Sequence, residues 1–244
     1  MKILASDFDG TLFFHNSEYR KEDLEAIEKF RKDGNLFGIC TGRALHSLQL
    51  SLDERFQPDF MILNSGAQIV NGKGENVYKK TIPYELTHKF VRNYFQYKII
   101  VAAENHIYSN LPFALQSPFA KTIDQIQQNE GYYCISVMLE SEEAACVEAQ
   151  NLGKIEEICV FQNKHSIDII PYGCSKGNGI QILGDILNEQ NQLYCIGDSY
   201  NDISMLESVP HSFTFYDSPI EVKKSAAHLV NSVAECINEI TRME

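Results

Sequence analysis

Residues 3–13 read ILASDFDGTLF. Three apolar residues and a serine predict a short buried strand that runs into Asp7, Phe8 and Asp9, after which Gly10 permits a sharp turn. Side chains two apart on an extended chain point the same way, so Asp7 and Asp9 are expected to face one cleft while Phe8 faces the core. Taken alone, DFDG also admits a plainer reading as a polar turn that ends a strand.

The flanking sequence repeats a strand-then-helix grammar. EDLEAIEKFRKDG (22–34) sets Leu24, Ile27 and Phe30 on one helical face, with Gly34 as a stop. LFGIC (36–40) reads as a second strand, ALHSLQLSL (44–52) as a helix, and DFMILNSGAQIVNG (59–72) as a strand, a turn at Asn64-Ser65-Gly66 and a short strand. This alternation predicts an α/β fold, a Rossmann-like parallel-sheet core with helices on both faces.

From Pro83 the grammar changes. Helices are expected over ELTHKFVRNYF, AKTIDQIQQ and EEAACVEAQNL, and strands over KIIVAAE, HIYSN, YCISVML, EEICVFQ and HSIDIIP, with a hairpin turn at Asn163-Lys164. The aromatic residues of VRNYFQY (91–97) are expected in the core of this segment. Residues 83–171 therefore read as an inserted α+β domain. The first pattern then returns: a helix over SKGNGIQILGDILN, a strand over LYCIGDS, a helix over NDISMLESV, a strand over SFTFY and a helical tail. Residues 1–82 and 172–244 together are expected to form the core.

The chain of 244 residues carries a formal net charge of −12 and no basic run, which argues against nucleic acid or an anionic membrane as partner. A bound cation still allows an anionic small molecule. Seven cysteines are scattered without a CxxC, so a reducing compartment is expected and a zinc site is not. No apolar run approaches the ~18 residues of a membrane span, and the N-terminus lacks an apolar leader. A cytoplasmic protein is expected, with no oligomeric state implied. His15 reads as plain surface.

Three further motifs stand at strand ends or helix starts. Thr41-Gly42-Arg43 offers a hydroxyl and backbone N–H groups to an anion, or an ordinary helix cap. Ser175-Lys176-Gly177 opens a helix with an ammonium suited to a phosphate, or with a solvated surface lysine. GDSYND (197–202) closes a strand with Asp198, Asn201 and Asp202, or forms a polar turn capping the next helix.

The order DFDGTL, CTGR, SKG, GDSYND resembles the haloacid dehalogenase-like superfamily, and the insertion between the second and third motifs resembles its Cof-type branch of sugar-phosphate phosphatases. The resemblance covers the whole chain. It implies a Mg²⁺-dependent phosphatase acting on a small phosphorylated metabolite, with Asp7 as nucleophile and Asp9 as acid and base in turn. It implies a metal held by Asp7, Asp198 and the backbone carbonyl of Asp9, with Asp202 holding a metal-bound water or Lys176. Thr41, Gly42, Lys176 and Asn201 would surround the phosphoryl oxygens, and Arg43 would either contact substrate or cap a helix. The inserted domain would act as a cap carrying specificity. Two alternatives stand beside the phosphatase reading: a phosphomannomutase-like phosphomutase, which shares these motifs, and a phosphometabolite-binding regulator that has lost catalysis, whose acidic motifs would be degraded where these are complete.

Overall fold

The computed structural model of the protein describes residues 1–14, 18–53, 55–112, 114–189 and 192–243; His15 lies outside the described residues. In chain order the elements open with β1 (Ile3–Ser6), α1 (Lys21–Lys32), β2 (Leu36–Cys40), α2 (Leu45–Gln49), β3 (Phe60–Leu63), β4 (Gln68–Asn71) and β5 (Asn76–Lys79). There follow α3 (Tyr84–Tyr94), β6 (Lys98–Ala103), β7 (Ile107–Ser109), β8 (Ala120–Thr122), β9 (Tyr132–Met138), α4 (Glu142–Leu152), β10 (Ile158–Asn163) and β11 (Ser166–Pro171). The chain closes with α5 (Lys176–Leu187), β12 (Leu193–Ile196), α6 (Ile203–Leu206), β13 (His211–Phe215), α7 (Ile220–Ser225), β14 (His228–Val230) and α8 (Val233–Arg242). Two compact units result: Met1–Arg43, Leu48–Tyr78 and Ser175–Glu244 in one, Ala44–Ser47 and Lys79–Cys174 in the other.

The first unit carries a sheet ordered β14-β13-β12-β1-β2-β3-β4-β5. Its six strands from β14 to β3 pair in parallel, and β4 turns back antiparallel on β3. Alternation along β1 explains the short apolar run. Ile3 and Ala5 join Ile180 and Leu183 of α5 and Met205 and Leu206 of α6 in one cluster, and Leu4, on the other face, is equally buried. Helix α1 turns Ile27 and Phe30 inward, each worth about 1.5–3 kcal/mol of transfer energy, and packs beside α8. β1 sits between β2 and β12 with Ser6 level with Ile39 and Ile196, so the chain leaves all three strands on one edge. From β1 it winds outward through β2 and β3, then returns on the opposite side at β12. Such a reversal opens a crevice at the carboxyl ends of the strands.

The second unit carries a sheet ordered β10-β11-β9-β6-β7-β8, antiparallel except between β7 and β8. Phe90, Val91 and Tyr94 of α3 and Ala145 and Leu152 of α4 pack on Val101, Ile135, Val137 and Ile169 of the strands. Val91 and Tyr94 of VRNYFQY are thus core, while Phe95 is exposed. The expected fold class, a parallel core with an α+β unit, is what the chain adopts.

Some elements differ from expectation. AKTIDQIQQ is not a helix: Ala120–Thr122 pairs with β7, and Thr122 and Gln125 then cap a single 3₁₀ turn over Ile123–Gln125. NDISMLESV forms a 3₁₀ turn at Tyr200–Asp202 and one helical turn, α6. The hairpin turn falls at Lys164-His165, since Asn163 still pairs with Ser166, and Lys164 takes φ 51°.

One turn of the first unit has a position, Gly66, that allows no side chain. Asn64, Ser65 and Gly66 all have positive φ (49°, 52° and 92°), and a Cβ on Gly66 would lie 2.1 Å from the backbone oxygen of Ser175. This contact seats the start of α5 beside β3. Gly66→Ala is expected to destabilise the protein by about 2–4 kcal/mol in urea unfolding, from αL strain plus a backbone clash. Gly34→Ala, at φ 84° with nothing within 4 Å, should cost only the strain, about 1–2 kcal/mol.

Candidate active site

Asp7 is the first residue beyond β1, and its N–H donates to the Ile196 oxygen across the strand pair (2.8 Å). Its side chain is buried against Lys176. Ser175 accepts from the N–H of Asn178 (3.0 Å) and so starts α5 at Lys176. A cation in the first turn opposes the helix dipole, and no acidic residue of that turn offsets it. The compensation comes from elsewhere in the chain: Lys176 Nζ donates to Asp7 Oδ1 (2.5 Å) and to Asp202 Oδ1 (2.6 Å). Side-chain exposures are 1% for Lys176, 5% for Asp7 and 0% for Asp202, so this is an ion triad removed from water. Asp202 spends its other oxygen on the N–H groups of Asp198 and Ser199 (3.0 Å each). One carboxylate thereby fixes both the lysine and the loop bearing Asp198. Asp198 in turn accepts from Thr11 Oγ1 (2.7 Å).

Gly10 adopts φ 92°, and a Cβ there would come within 2.7 Å of Asp198 Oδ2. The turn after β1 is therefore closed tightly onto the loop after β12. Beside it opens a hollow of about 390 Å³, lined among others by Gly10, Asp198, Arg20, Tyr216 and Ser218.

Asp7, Asp198 and Asp202 each offer a carboxylate oxygen within 4.8 Å of one another. Burial, chiefly, pushes the Asp7 carboxyl well up, the Asp202 charge adds to this and Lys176 pulls it back. Burial also raises Asp198, against the Thr11 hydrogen bond. For Lys176 burial acts downward, but Asp202 and Asp7 outweigh it and hold the ammonium above its usual range. A folded-state carboxyl raised above its unfolded value binds extra protons in the folded protein. Its stability contribution is therefore best at low pH and falls as pH rises through the folded pKa. Without metal, Asp198→Asn is expected to raise the melting temperature, by more at pH 8 than at pH 5, in parallel thermal melts.

Asp9 departs from the strand-alternation expectation because the strand ends at Ser6. Its carboxylate lies outside the three-carboxylate group, half exposed, and pairs with Arg43: Nε to Oδ2 at 2.8 Å and Nη2 to Oδ1 at 2.6 Å. Thr41 is buried and its Oγ1 accepts from the N–H of Arg43 (3.1 Å), leaving the hydroxyl proton for another acceptor. Gly42 is half-buried. Asn201 is exposed, with its side-chain oxygen accepting from Ser199 Oγ (2.5 Å). Phe8 is wholly buried, stacked on Phe13 at 5.1 Å, and the Arg43 guanidinium lies 5.0 Å from its ring centre. The sequence reading assigned no role to Thr11 or to the Asn64–Gly66 turn. Thr11 follows DFDG directly, and three turn-formers in a row marked the other.

A family model described as haloacid dehalogenase-like hydrolase matches residues 4–237. The chain belongs to that family. Among its relatives, this haloacid dehalogenase-like hydrolase is 26% identical to 5-amino-6-(5-phospho-D-ribitylamino)uracil phosphatase YwtE of Bacillus subtilis, over 95% of this chain and 93% of the relative. It is 22% identical to an HMP-PP phosphatase of Citrobacter koseri, over 98% of this chain and 92% of the relative. A haloacid dehalogenase-like hydrolase from B. subtilis superposes with a TM-score of 0.87 at 18% identity, covering 100% of both chains. The family match makes the protein a haloacid dehalogenase-like hydrolase, and both of these relatives are named as phosphatases. Among the described residues no helix is long and apolar enough to cross a membrane.

Proposed function

We propose that the protein hydrolyses a small phosphorylated metabolite, a sugar phosphate, through an aspartyl-phosphate on Asp7, with Mg²⁺ as cofactor. The observation that carries this reading is the buried Asp7–Lys176–Asp202 triad with Asp198 beside it, on the edge of the sheet where the chain reverses. Three gathered carboxylates, Asp7 and Asp202 buried and Asp198 half-buried, with Asp7 and Asp198 pushed toward protonation, suit a small hard cation. Asp7, Asp198 and the backbone carbonyl of Asp9 would hold Mg²⁺, and Asp202 would stand behind them on Lys176. When bound, the ion would neutralise the phosphoryl charge that otherwise repels a carboxylate nucleophile.

The chain's own groups then divide the work. Lys176 binds Asp7 Oδ1 and so orients Oδ2 toward phosphorus. A bond forms from Asp7 Oδ2 to phosphorus as the bond to the leaving oxygen breaks, and Asp9 gives that oxygen its proton. Asp9 then takes a proton from water, the water oxygen bonds to phosphorus, and the Asp7–phosphorus bond breaks to release phosphate. The Thr41 hydroxyl, the Gly42 N–H, Lys176 and Asn201 stabilise charge on the phosphoryl oxygens. The α+β unit is assigned the choice of substrate. A 5-phospho-ribityl compound and HMP-PP, named for the relatives, belong in the first panel of substrates.

Phosphate release should be measured over a panel of phosphorylated sugars, cofactors and nucleotides with Mg²⁺. At least one sugar phosphate is expected to turn over, and EDTA should reduce the rate by about 10³-fold or more, with recovery on adding Mg²⁺. Undiminished turnover after exhaustive chelation would rule out the metal.

A further inference from the structure

Two roles were expected of Arg43, substrate contact or helix capping; the structure shows its side chain paired with Asp9. We infer that Arg43 is a positioning residue that clamps Asp9, and this rests on the reading of Asp9 as the acid and base of the proposed phosphatase. The pair is a fork on a fork: two guanidinium nitrogens meet the two carboxylate oxygens, which fixes the plane of the carboxylate as well as its place.

The clamp is itself held on every side. Nη1, the remaining nitrogen, donates to Ser51 Oγ (2.7 Å). The guanidinium lies 5.0 Å from the Phe8 ring centre and 5.7 Å from that of Phe13, and these two rings stack with an interplanar angle of 10°. Tyr19 packs its ring on Phe13 at 5.4 Å and donates its hydroxyl to the Ser51 oxygen (2.7 Å). The Arg43 backbone is pinned at both ends, its N–H by Thr41 Oγ1 (3.1 Å) and its carbonyl by the N–H of Asn64 (3.0 Å).

Stability alone does not account for this construction. The side chains are 26% and 50% exposed, and a pair so open to water contributes on the order of 0–1 kcal/mol. Positioning accounts for it better. Asp9 lies beyond the end of β1 and just before the turn at Gly10, where nothing in the strand ladder of the large sheet orders its side chain. A proton donor displaced by about 1 Å loses on the order of 10²-fold in rate. The buried Phe8 between the two carboxylates thus has a second task, as the platform on which the clamp rests.

The test is a double-mutant cycle with two leaving groups. For Arg43→Met, kcat/KM on an alkyl phosphate is expected to fall about 10–100-fold, while kcat/KM on p-nitrophenyl phosphate, whose leaving group needs no proton, should change less than about threefold. In an Asp9→Ala background Arg43→Met should cost less than about twofold more, because the group it positions is gone. Arg43→Lys keeps the charge and stem without the fork, should show the same selective loss, and replaces the Met variant if that one fails to fold. Equal losses on both phosphates, or a full further loss in the Asp9→Ala background, would overturn the clamp in favour of direct substrate binding. If the wild type hydrolyses neither phosphate nor any member of the panel, the phosphatase reading itself fails, and the clamp falls with it.

Discussion

Asp7→Asn is expected to lower phosphate release by at least about four orders of magnitude while the protein stays folded. The asparagine keeps the shape of the side chain and a partner oxygen for Lys176, which also retains Asp202 Oδ1 at 2.6 Å. Burial and the Asp202 charge disfavour the ionised Asp7, so the variant gives up a carboxylate that the folded state holds at some cost. Steady-state kinetics with thermal melts separates the two effects. A variant with turnover within about tenfold of wild type would remove Asp7 from the nucleophile role.

Lys176→Met should act the opposite way on stability. The methionine fills most of the space but strands Asp7 and Asp202, which are 5% and 0% exposed, without their shared cation. Breaking a buried ion network by removing one partner costs about 3–5 kcal/mol. Without that cation to pull it back, burial leaves the Asp7 carboxyl still further above its unfolded value. The deficit is therefore largest above the unfolded carboxylate range and shrinks as the pH falls toward it. Urea unfolding at pH 7.5 and pH 5 reads this directly. Activity should vanish in the same variant, because the proposed reaction also uses the lysine to stabilise the phosphoryl group. An unfolding midpoint equal to wild type at both pH values would mean that Asp202 and Asp7 are satisfied without it.

These two residues show what was legible in the sequence. Lys176 and Asp7 are 169 residues apart, yet each motif sits at the edge of a four- or five-residue apolar strand or at a helix start. Parallel strands collect such edges on one side of the sheet, so order along the chain carried the placement. The pairing within the site was less legible. The Arg43 clamp on Asp9 depends on how two loops approach, and nothing in either loop's composition encodes a 2.6 Å contact. The tight turn at Gly10 closes on Asp198 for the same reason. Short elements were lost for a different one. β8 has three residues and β14 has three, too few to show a period. In AKTIDQIQQ the spacing of Ile123 and Ile126 imitates a helical face, while the capping of Thr122 and Gln125 completes a single turn. The strand β5, mostly exposed along Asn76–Lys79, carries no apolar signature.

The central claim is covalent capture of the phosphoryl group by Asp7. The direct measurement is acid quenching of the Asp9→Ala protein during turnover of a phosphate donor, followed by peptide mass spectrometry. Removing the group that activates water should let the intermediate accumulate, so the peptide containing Asp7 is expected to carry one phosphoryl group that Asp7→Asn abolishes. Phosphate release from the wild type with no phosphoryl group on Asp7 in the quenched Asp9→Ala protein, or with the group on another residue, would contradict the account.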